Sequence, residues 1–232
     1  VSMNTRDDDA VRHIQVVDTH DSLLFFTNTG RVLRITAYEL RADMSRNTRG
    51  VPVVNVVPLT DSERVKALIG VDDLQKEHTY LVMATKKGAI KRVSLSAISS
   101  IRPSGLIIMN LKPGDDLVSA RLAKDGDDVI MVSEQGMSIR FPVGQVPLRQ
   151  RAAGGVKGMS LRADDRIVSM DIGGPESRLL VISRLGFGKL TPMNSYRTQR
   201  RGGVGIKTFN IRKKTGVVAA AETVDDSKEV YV

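Results

Sequence analysis

Short runs of β-branched and aliphatic residues alternate with polar turn residues along the whole chain. The first such unit is DSLLFFTNTGRVLRIT, in which an apolar run ends at Phe26 and a second run extends from Val32 to Thr36. Gly30 ends the short polar loop between them. A glycine at this position supplies the positive φ angle that closes a hairpin. The pattern therefore predicts two strands joined by a tight turn.

The hairpin pattern recurs three times at intervals of about fifty residues, with turns at Gly88, Gly136 and Gly186. A loop leads from each hairpin to a second apolar segment: RGVPVVNVVPL, SGLIIMNLKP, GGVKGMSLRADD or GGVGIKTFNIRKK. A third segment closes each unit: RVKALIGV, DLVSARLA, RIVSMDIG or VVAAAETV. About four strands at this period predict an all-β, propeller-like closed array of four-stranded blades. An open sandwich of hairpins is the alternative.

The repeats organise the chain as one domain over residues 1–232. Whole repeats are predicted at about 21–73, 79–124, 127–173 and 177–226, with partial blades at 1–20 and 227–232. Val11 to Asp18 has the pattern of a closing strand, and Ser227 to Val232 that of a first strand. We therefore expect a piece of a longer polypeptide.

Composition limits the chemistry that this chain can perform. Its 232 residues include 35 Lys+Arg and 26 Asp+Glu, a net charge of +9 that favours nucleic acid or an anionic membrane as partner. The absence of cysteine excludes disulfides and thiolate sites and fits a cytoplasmic protein. The three histidines have no metal-ligand spacing, and no apolar run approaches the roughly 20 residues that cross a bilayer. We expect no metal and no cofactor, and of the two polyanionic partners we expect nucleic acid and no membrane.

The charges are separated along the repeat. Acids occupy turns that flank the third segment, whereas bases recur in the strand after the hairpin glycine and in the loop before the second segment. In a closed array, bases at equivalent positions form a belt, which suits the phosphates of duplex DNA. The candidate DNA-binding residues are Arg46, Arg49, Lys91, Arg92, Arg102, Arg140, Arg149, Arg151, Lys157, Lys189, Arg197, Gln199, Arg200, Arg201, Gly202, Gly203, Gly205 and Lys207.

The stretch YRTQRRGGVGIKTF combines two adjacent arginines, Arg200 and Arg201, with three glycines and no acid. We expect it to present guanidinium groups and bare backbone amides to a sugar-phosphate chain. A Walker loop would need lysine and Ser/Thr after its last glycine, entering a helix. Modules that bind RNA or single strands would show exposed aromatic residues, and this chain has no Trp, four Tyr and five Phe.

The segments THDSLLFFTNTGRV, SRNTRGVPVVNVVPL and QRRGGVGIK together resemble the family of DNA gyrase A C-terminal domains, along essentially the whole chain. The resemblance implies a β-pinwheel, with about six blades in the intact domain, whose neighbouring blades exchange strands. It implies that duplex DNA wraps around a basic rim so that the parent enzyme can introduce negative supercoils.

The same resemblance identifies Gln199 to Gly205 with the family's glycine-rich heptad, except that Val204 replaces its second base. The family's functional heptad lies in the first blade, so we expect that copy upstream of Val1. The loop seen here is then either functional or a degenerate copy.

The family cleaves DNA with a tyrosine in a separate domain, so the resemblance implies that this chain is non-catalytic. It implies as partners duplex DNA, the remainder of gyrase A and, through it, gyrase B, in the cytoplasm with the nucleoid. Two alternatives stay open: the equivalent domain of topoisomerase IV, and a propeller-like scaffold that binds an acidic protein.

Overall fold

The computed structural model describes residues 12–40 and 50–225. Their regular structure consists of fifteen β-strands and five short 3₁₀ helices. The strands are β1 (Ser22–Thr27), β2 (Arg31–Thr36), β3 (Val65–Val71), β4 (Thr79–Thr85), β5 (Ala89–Ser94), β6 (Leu106–Ile107), β7 (Leu117–Lys124), β8 (Asp128–Ser133), β9 (Met137–Pro142), β10 (Val156–Lys157), β11 (Ile167–Gly173), β12 (Arg178–Ser183), β13 (Gly188–Pro192), β14 (Ile206–Lys207) and β15 (Val218–Val224). The 3₁₀ helices are Ala37–Glu39, Val53–Asn55, Leu95–Ile98, Val143–Gln145 and Met193–Ser195.

The four predicted hairpins are β1–β2, β4–β5, β8–β9 and β12–β13, all antiparallel. The turn glycines Gly30, Gly88, Gly136 and Gly186 have φ angles of +80°, +86°, +77° and +80°. This left-handed conformation is strained for residues that carry a Cβ, and it confirms why a glycine ends every hairpin turn.

The sheets exchange strands between neighbouring repeats. Their strand orders are β3-β1-β2-β6, β7-β4-β5-β10 and β11-β8-β9-β14, followed by a three-stranded sheet β15-β12-β13. The short fourth strand of each of the first three sheets comes from the next repeat along the chain. An all-β array of four-stranded, strand-exchanging blades is therefore confirmed.

The closing strands form the inner side of the array, because β3 contacts β7, β7 contacts β11 and β11 contacts β15. We call the opposite side, formed by the exchanged strands β6, β10 and β14 and the loops leading to them, the outer edge. Each closing strand begins beside its hairpin turn, as in the pairing of Val65 with Thr27, and ends away from it. We call these two ends of the sheets the hairpin face and the far face.

Backbone hydrogen bonds fasten each exchanged strand to the hairpin glycine of the preceding repeat. In each case two consecutive amides donate to one glycine carbonyl. The bonds run from Ile108 and Met109 to Gly30 (2.9 and 3.2 Å), from Gly158 and Met159 to Gly88 (2.8 and 3.1 Å), and from Thr208 and Phe209 to Gly136 (2.8 and 3.1 Å). The outer edge of each blade is thus built by its neighbour.

The core lies between adjacent blades. One cluster joins Leu24 and Phe26 of β1 with Leu81 and Met83 of β4, all fully buried. Similar clusters join the second sheet to the third and the third to the fourth. Because both faces of a blade are covered, β1 is buried at all six positions, which explains its continuous apolar sequence.

Two strand predictions are wrong in the described part of the chain. Residues 50–59 contain the 3₁₀ helix Val53–Asn55 and no strand, and the described residues include no preceding sheet that they could join. Residues 12–18 form no strand either, although Val17 packs against Gly70 of β3. The strand predicted at Ser227 to Val232 lies outside the described residues.

Candidate nucleic-acid interface

Two loops of the outer edge have the same backbone arrangement. In the third repeat the amide of Arg149 donates to the carbonyl of Arg92 at 2.9 Å. In the fourth repeat the amide of Gln199 donates to the carbonyl of Arg140 at 2.8 Å. Each loop then turns and enters its exchanged strand, β10 or β14. The glycine-rich loop at 199–205 is therefore the structural counterpart of residues 149–155.

The glycines of the 199–205 loop serve packing between repeats. The Gly202 amide donates to the Gly158 carbonyl at 2.7 Å, and the Gly203 carbonyl accepts from the Ser160 amide at 2.8 Å. Gly205 has a φ of +77°, and a Cβ there would collide with the Ser138 carbonyl. The prediction that these amides face a phosphate chain is therefore wrong for Gln199 and Gly202, whose amides already donate within the protein.

The two arginines of this loop have different environments. The Arg201 amide donates to Gln145 Oε1 at 2.8 Å, its Nε donates to the Gln145 carbonyl at 3.2 Å, and its Nη1 donates to the Lys157 carbonyl. Arg200 is exposed and makes no side-chain hydrogen bond or ion pair with residues 12–40 or 50–225. Arg201 fastens the loop, and Arg200 remains available to a ligand.

Lys91 corrects the sequence-based assignment most clearly. Only 1% of the residue is exposed, and its Nζ donates to the carbonyls of Ile108 (2.6 Å), Arg151 (2.6 Å) and Ala153 (2.7 Å). Burial, with a smaller contribution from the positive charge of Arg149, lowers the pKa of Lys91 to about 8. All three ammonium protons are used, so Lys91 joins repeats and does not reach a phosphate.

Arg92 and Arg140 are also held inside the protein. The Arg92 guanidinium lies 4.6 Å from the centre of the Tyr80 ring, and its side chain is 13% exposed. Arg140, 11% exposed, donates to Asp128 at 2.6 Å and to the Met193 carbonyl at 2.7 Å. The predicted DNA contacts of these two side chains remain predictions, and binding a phosphate would cost both of them their present partners.

The remaining predicted bases that the structure describes are exposed. All but one lie on the outer edge, in an exchanged strand or the loop before it, and the exception is Lys189 on β13. They are Arg102, Arg149, Arg151, Lys157, Lys189, Arg197, Arg200 and Lys207. Arg46 and Arg49 lie outside the described residues.

Several carboxylates near the hairpin turns accept bonds from the protein itself. Asp115 accepts from the Lys87 amide at 2.9 Å, and Asp165 from the Gln135 amide at 3.0 Å. Burial opposes ionisation of Glu63, but hydrogen bonds from Arg31, and then from the Thr60 amide and nearby threonine hydroxyls, hold its pKa well below the usual range. Because these carboxylates accept hydrogen bonds within the hairpin turns, they do not pair with the bases of the outer edge, whose positive charge stays uncompensated.

Sequence reasoning missed three exposed bases on the hairpin side of the exchanged strands: Lys112, Arg162 and Arg212. Aligning the second segments on the residue pairs Ile108–Met109, Gly158–Met159 and Thr208–Phe209 would have found them, since each base follows its pair by three residues. Within residues 12–40 and 50–225, no three His, Asp or Glu side chains gather as a metal site. No helix in those ranges is long and apolar enough to cross a bilayer.

The array of strand-exchanging blades with a basic outer edge is of the β-propeller class. Four stretches, at 21–72, 79–124, 127–172 and 177–225, match the family model described as DNA gyrase C-terminal domain, beta-propeller. The chain therefore belongs to the DNA gyrase C-terminal domain family.

A curated relative, the DNA gyrase A protein of Dehalogenimonas lykanthroporepellens, is 41% identical over 230 residues. The match covers 99% of this chain and 28% of that relative. The solved structure of a DNA gyrase A C-terminal domain has a TM-score of 0.77 and 28% identity, covering 90% of this chain and 67% of that one. A topoisomerase IV C-terminal domain has a TM-score of 0.79 and 25% identity, covering 90% and 65%.

Proposed function

We propose that this chain is a DNA-binding and DNA-wrapping domain of a DNA gyrase A protein, and that duplex DNA follows its outer edge. One observation carries the proposal: exposed bases recur on the loops and exchanged strands of successive repeats, such as Arg149 with Arg151 and Arg197 with Arg200. These bases stand at different positions within the loop, since Arg149 corresponds to Gln199 and Arg151 to Arg201. They nevertheless lie on the same loop of successive blades, which supports a continuous basic surface along the outer edge.

Phosphate contact is the mode of binding that this surface favours. Arginine and lysine side chains neutralise phosphates and release condensed counterions, which gives affinity without reading base edges. An outer edge that curves from blade to blade bends the duplex that stays in contact with it. We therefore infer binding with weak sequence preference, and bending in proportion to the number of blades contacted.

The domain supports catalysis by positioning DNA and performs no chemistry of its own. Bending would present one segment of duplex to the rest of gyrase A, and through it to gyrase B, so that strand passage introduces negative supercoils. We propose that the described repeats belong to a single domain of about six blades in the intact protein. Its site of action is the cytoplasm, with the nucleoid.

A salt titration tests the DNA-binding proposal. Replacing Arg149 and Arg151 by glutamine should lower the slope of log K against log salt by about 2, since each phosphate contact contributes about 0.9. The control, Lys76→Gln with Lys124→Gln, removes the same formal charge from two exposed lysines near the far face, of which Lys76 pairs with Asp72 at 3.1 Å. It should leave the slope close to that of the parent. A parent whose duplex affinity does not depend on salt would overturn the proposal.

The equivalent domain of topoisomerase IV is the second candidate, because a solved domain of that enzyme has a TM-score of 0.79 to this chain. Relaxed closed-circular DNA incubated with the full-length enzyme and ATP separates the two. Negative supercoils would support the gyrase assignment, whereas relaxation without supercoiling would support topoisomerase IV. Binding of an acidic protein without duplex binding would instead support a scaffold.

A further inference from the structure

A turn follows each exchanged strand, and its first residue is an exposed base in three consecutive repeats. In every case the carbonyl of this base accepts the amide of the residue three positions later. The bonds are Asp115 to Lys112 (3.0 Å), Asp165 to Arg162 (3.2 Å) and Thr215 to Arg212 (3.1 Å). The repeated bond shows that the three bases occupy equivalent positions. We call Lys112, Arg162 and Arg212 the turn row.

The turn row lies on the opposite side of the exchanged strands from the bases already described. Arg102, Arg149 with Arg151, and Arg197 with Arg200 precede these strands, and we call them the loop row. The turn row follows the residues whose amides bind the hairpin glycines, which places it toward the hairpin face. In each of these repeats, then, exposed bases flank the exchanged strand on both sides.

No acid pairs with the turn row within the described ranges. Lys112 and Arg162 make no side-chain hydrogen bond or ion pair there, and Arg212 lies 3.2 Å from the uncharged side-chain amide of Asn210. In the fourth repeat Lys213 and Lys214 follow Arg212, and both are exposed. The positive charge of the row is therefore accessible to a polyanion.

Two carboxylates in the same turns, Asp115 and Asp165, accept hydrogen bonds from elsewhere in the protein. Asp115 and Asp165 are half-buried, and besides the hairpin amides Asp165 accepts the Ser133 hydroxyl at 2.6 Å. Asp164, in the turn after Arg162, is exposed, but it forms no ion pair with Arg162. The turn-row charges are therefore not paired with the carboxylates of their own turns.

We propose that the loop row and the turn row contact the two phosphate backbones of one duplex, with the exchanged strands between them. This inference rests on the proposed function and adds to it a reason for preferring duplex over single strands. A single strand has one phosphate chain and can use only one row, whereas a duplex has two chains and can use both. Each added phosphate contact steepens the salt dependence by about 0.9.

The test compares duplex and single-stranded DNA of the same length. Arg162→Gln with Arg212→Gln should lower the duplex salt slope by about 2 and leave single-strand affinity within about twofold of the parent, because the loop row remains. The Lys76→Gln, Lys124→Gln control removes equal charge and should change neither. Both variants replace exposed side chains, and thermal unfolding checks that each is folded.

The outcomes separate this inference from the proposed function. If the turn-row variant binds duplex like the parent while the Arg149→Gln, Arg151→Gln variant loses affinity, the second row is wrong and the function stands. If the control loses as much as the turn-row variant, the effect is net charge and the second row is also wrong. If the parent shows no salt-dependent duplex binding, the proposed function fails first.

Discussion

The ammonium nitrogen of Lys91 lies 2.6 Å from the carbonyl oxygen of Arg151, a residue of the following repeat. The same nitrogen donates to Ala153, so one buried cation holds the backbone on which Arg149 and Arg151 are displayed. The corresponding residue of the third repeat is Ile139, and there Gln145 takes over by bonding to the next loop. Equivalent loops are therefore fixed by different side chains.

Replacing Lys91 by methionine should destabilise the fold by about 2–4 kcal/mol, because the carbonyls of Ile108, Arg151 and Ala153 lose their bonds from Nζ. Urea unfolding measures the change. The exposed Lys157→Met is the matched control and should stay within about 0.5 kcal/mol of the parent. A Lys91 variant as stable as that control would show that the three bonds contribute nothing.

Arg200 and Arg201 should separate binding from stability. Arg200→Ala removes an exposed guanidinium and should lower the duplex salt slope by about 1 with little change in stability. Arg201→Ala removes the side-chain bonds to the carbonyls of Gln145 and Lys157 and should cost about 1–3 kcal/mol in urea unfolding. Equal effects of the two variants on both measurements would contradict the different environments of these side chains.

Gly205→Ala should destabilise the loop by about 1–3 kcal/mol, since its positive φ and the Ser138 carbonyl leave no room for a methyl group. Gly203→Ala is the internal control, because a Cβ there would lie 3.5 Å from its nearest neighbour, Ile139 Cδ1, at an ordinary contact distance. Chemical denaturation of both variants gives the comparison. Equal stability of the two would contradict the close approach of Gly205 to the Ser138 carbonyl.

The stability that Glu63 contributes should depend on pH. Its folded-state pKa is far below the ordinary value of 4.5, so the unfolded chain takes up a proton first as the pH falls. Glu63→Gln should cost about 3 kcal/mol at pH 7 by leaving Arg31 unpaired, and the gap to the parent should narrow below about pH 4.5. The exposed Asp61→Asn is the control. A gap that is constant from pH 7 to pH 3 would contradict the ion pair.

Local signals in the sequence predicted most of the architecture. Gly30, Gly88 and Gly136 mark their turns because a tight turn involves only four neighbouring residues, and its need for a positive φ angle is visible in that short stretch of sequence. The partners of Lys91 could not be predicted in this way. These three carbonyls lie 17, 60 and 62 residues after Lys91 in the sequence, and they come together only when the blades exchange strands. A lysine in a strand therefore looks the same in the sequence whether its side chain faces solvent or donates hydrogen bonds to carbonyls of the next repeat.

The placement of bases was predictable by position in the repeat and not by residue type. The exposure of Arg102, Arg149 and Arg200 is predictable because each lies in a loop before an exchanged strand, and these arginines are exposed in all three repeats. Arg140 has the same chemistry, but its partner Asp128 stands twelve residues earlier, and the pairing depends on the register of β8 with β9. Sequence spacing alone does not reveal which of these arginine side chains already pairs with an acid inside the protein.

Energy transfer between dyes at the two ends of a duplex tests the central claim most directly, because it reports whether DNA bends along the outer edge. Transfer should rise when the parent binds. It should fall back toward the value of free DNA for Arg149→Gln with Arg151→Gln, and remain at the parent level for Lys76→Gln with Lys124→Gln. The same transfer for all three proteins, or no rise on binding the parent, would contradict a duplex path along the outer edge.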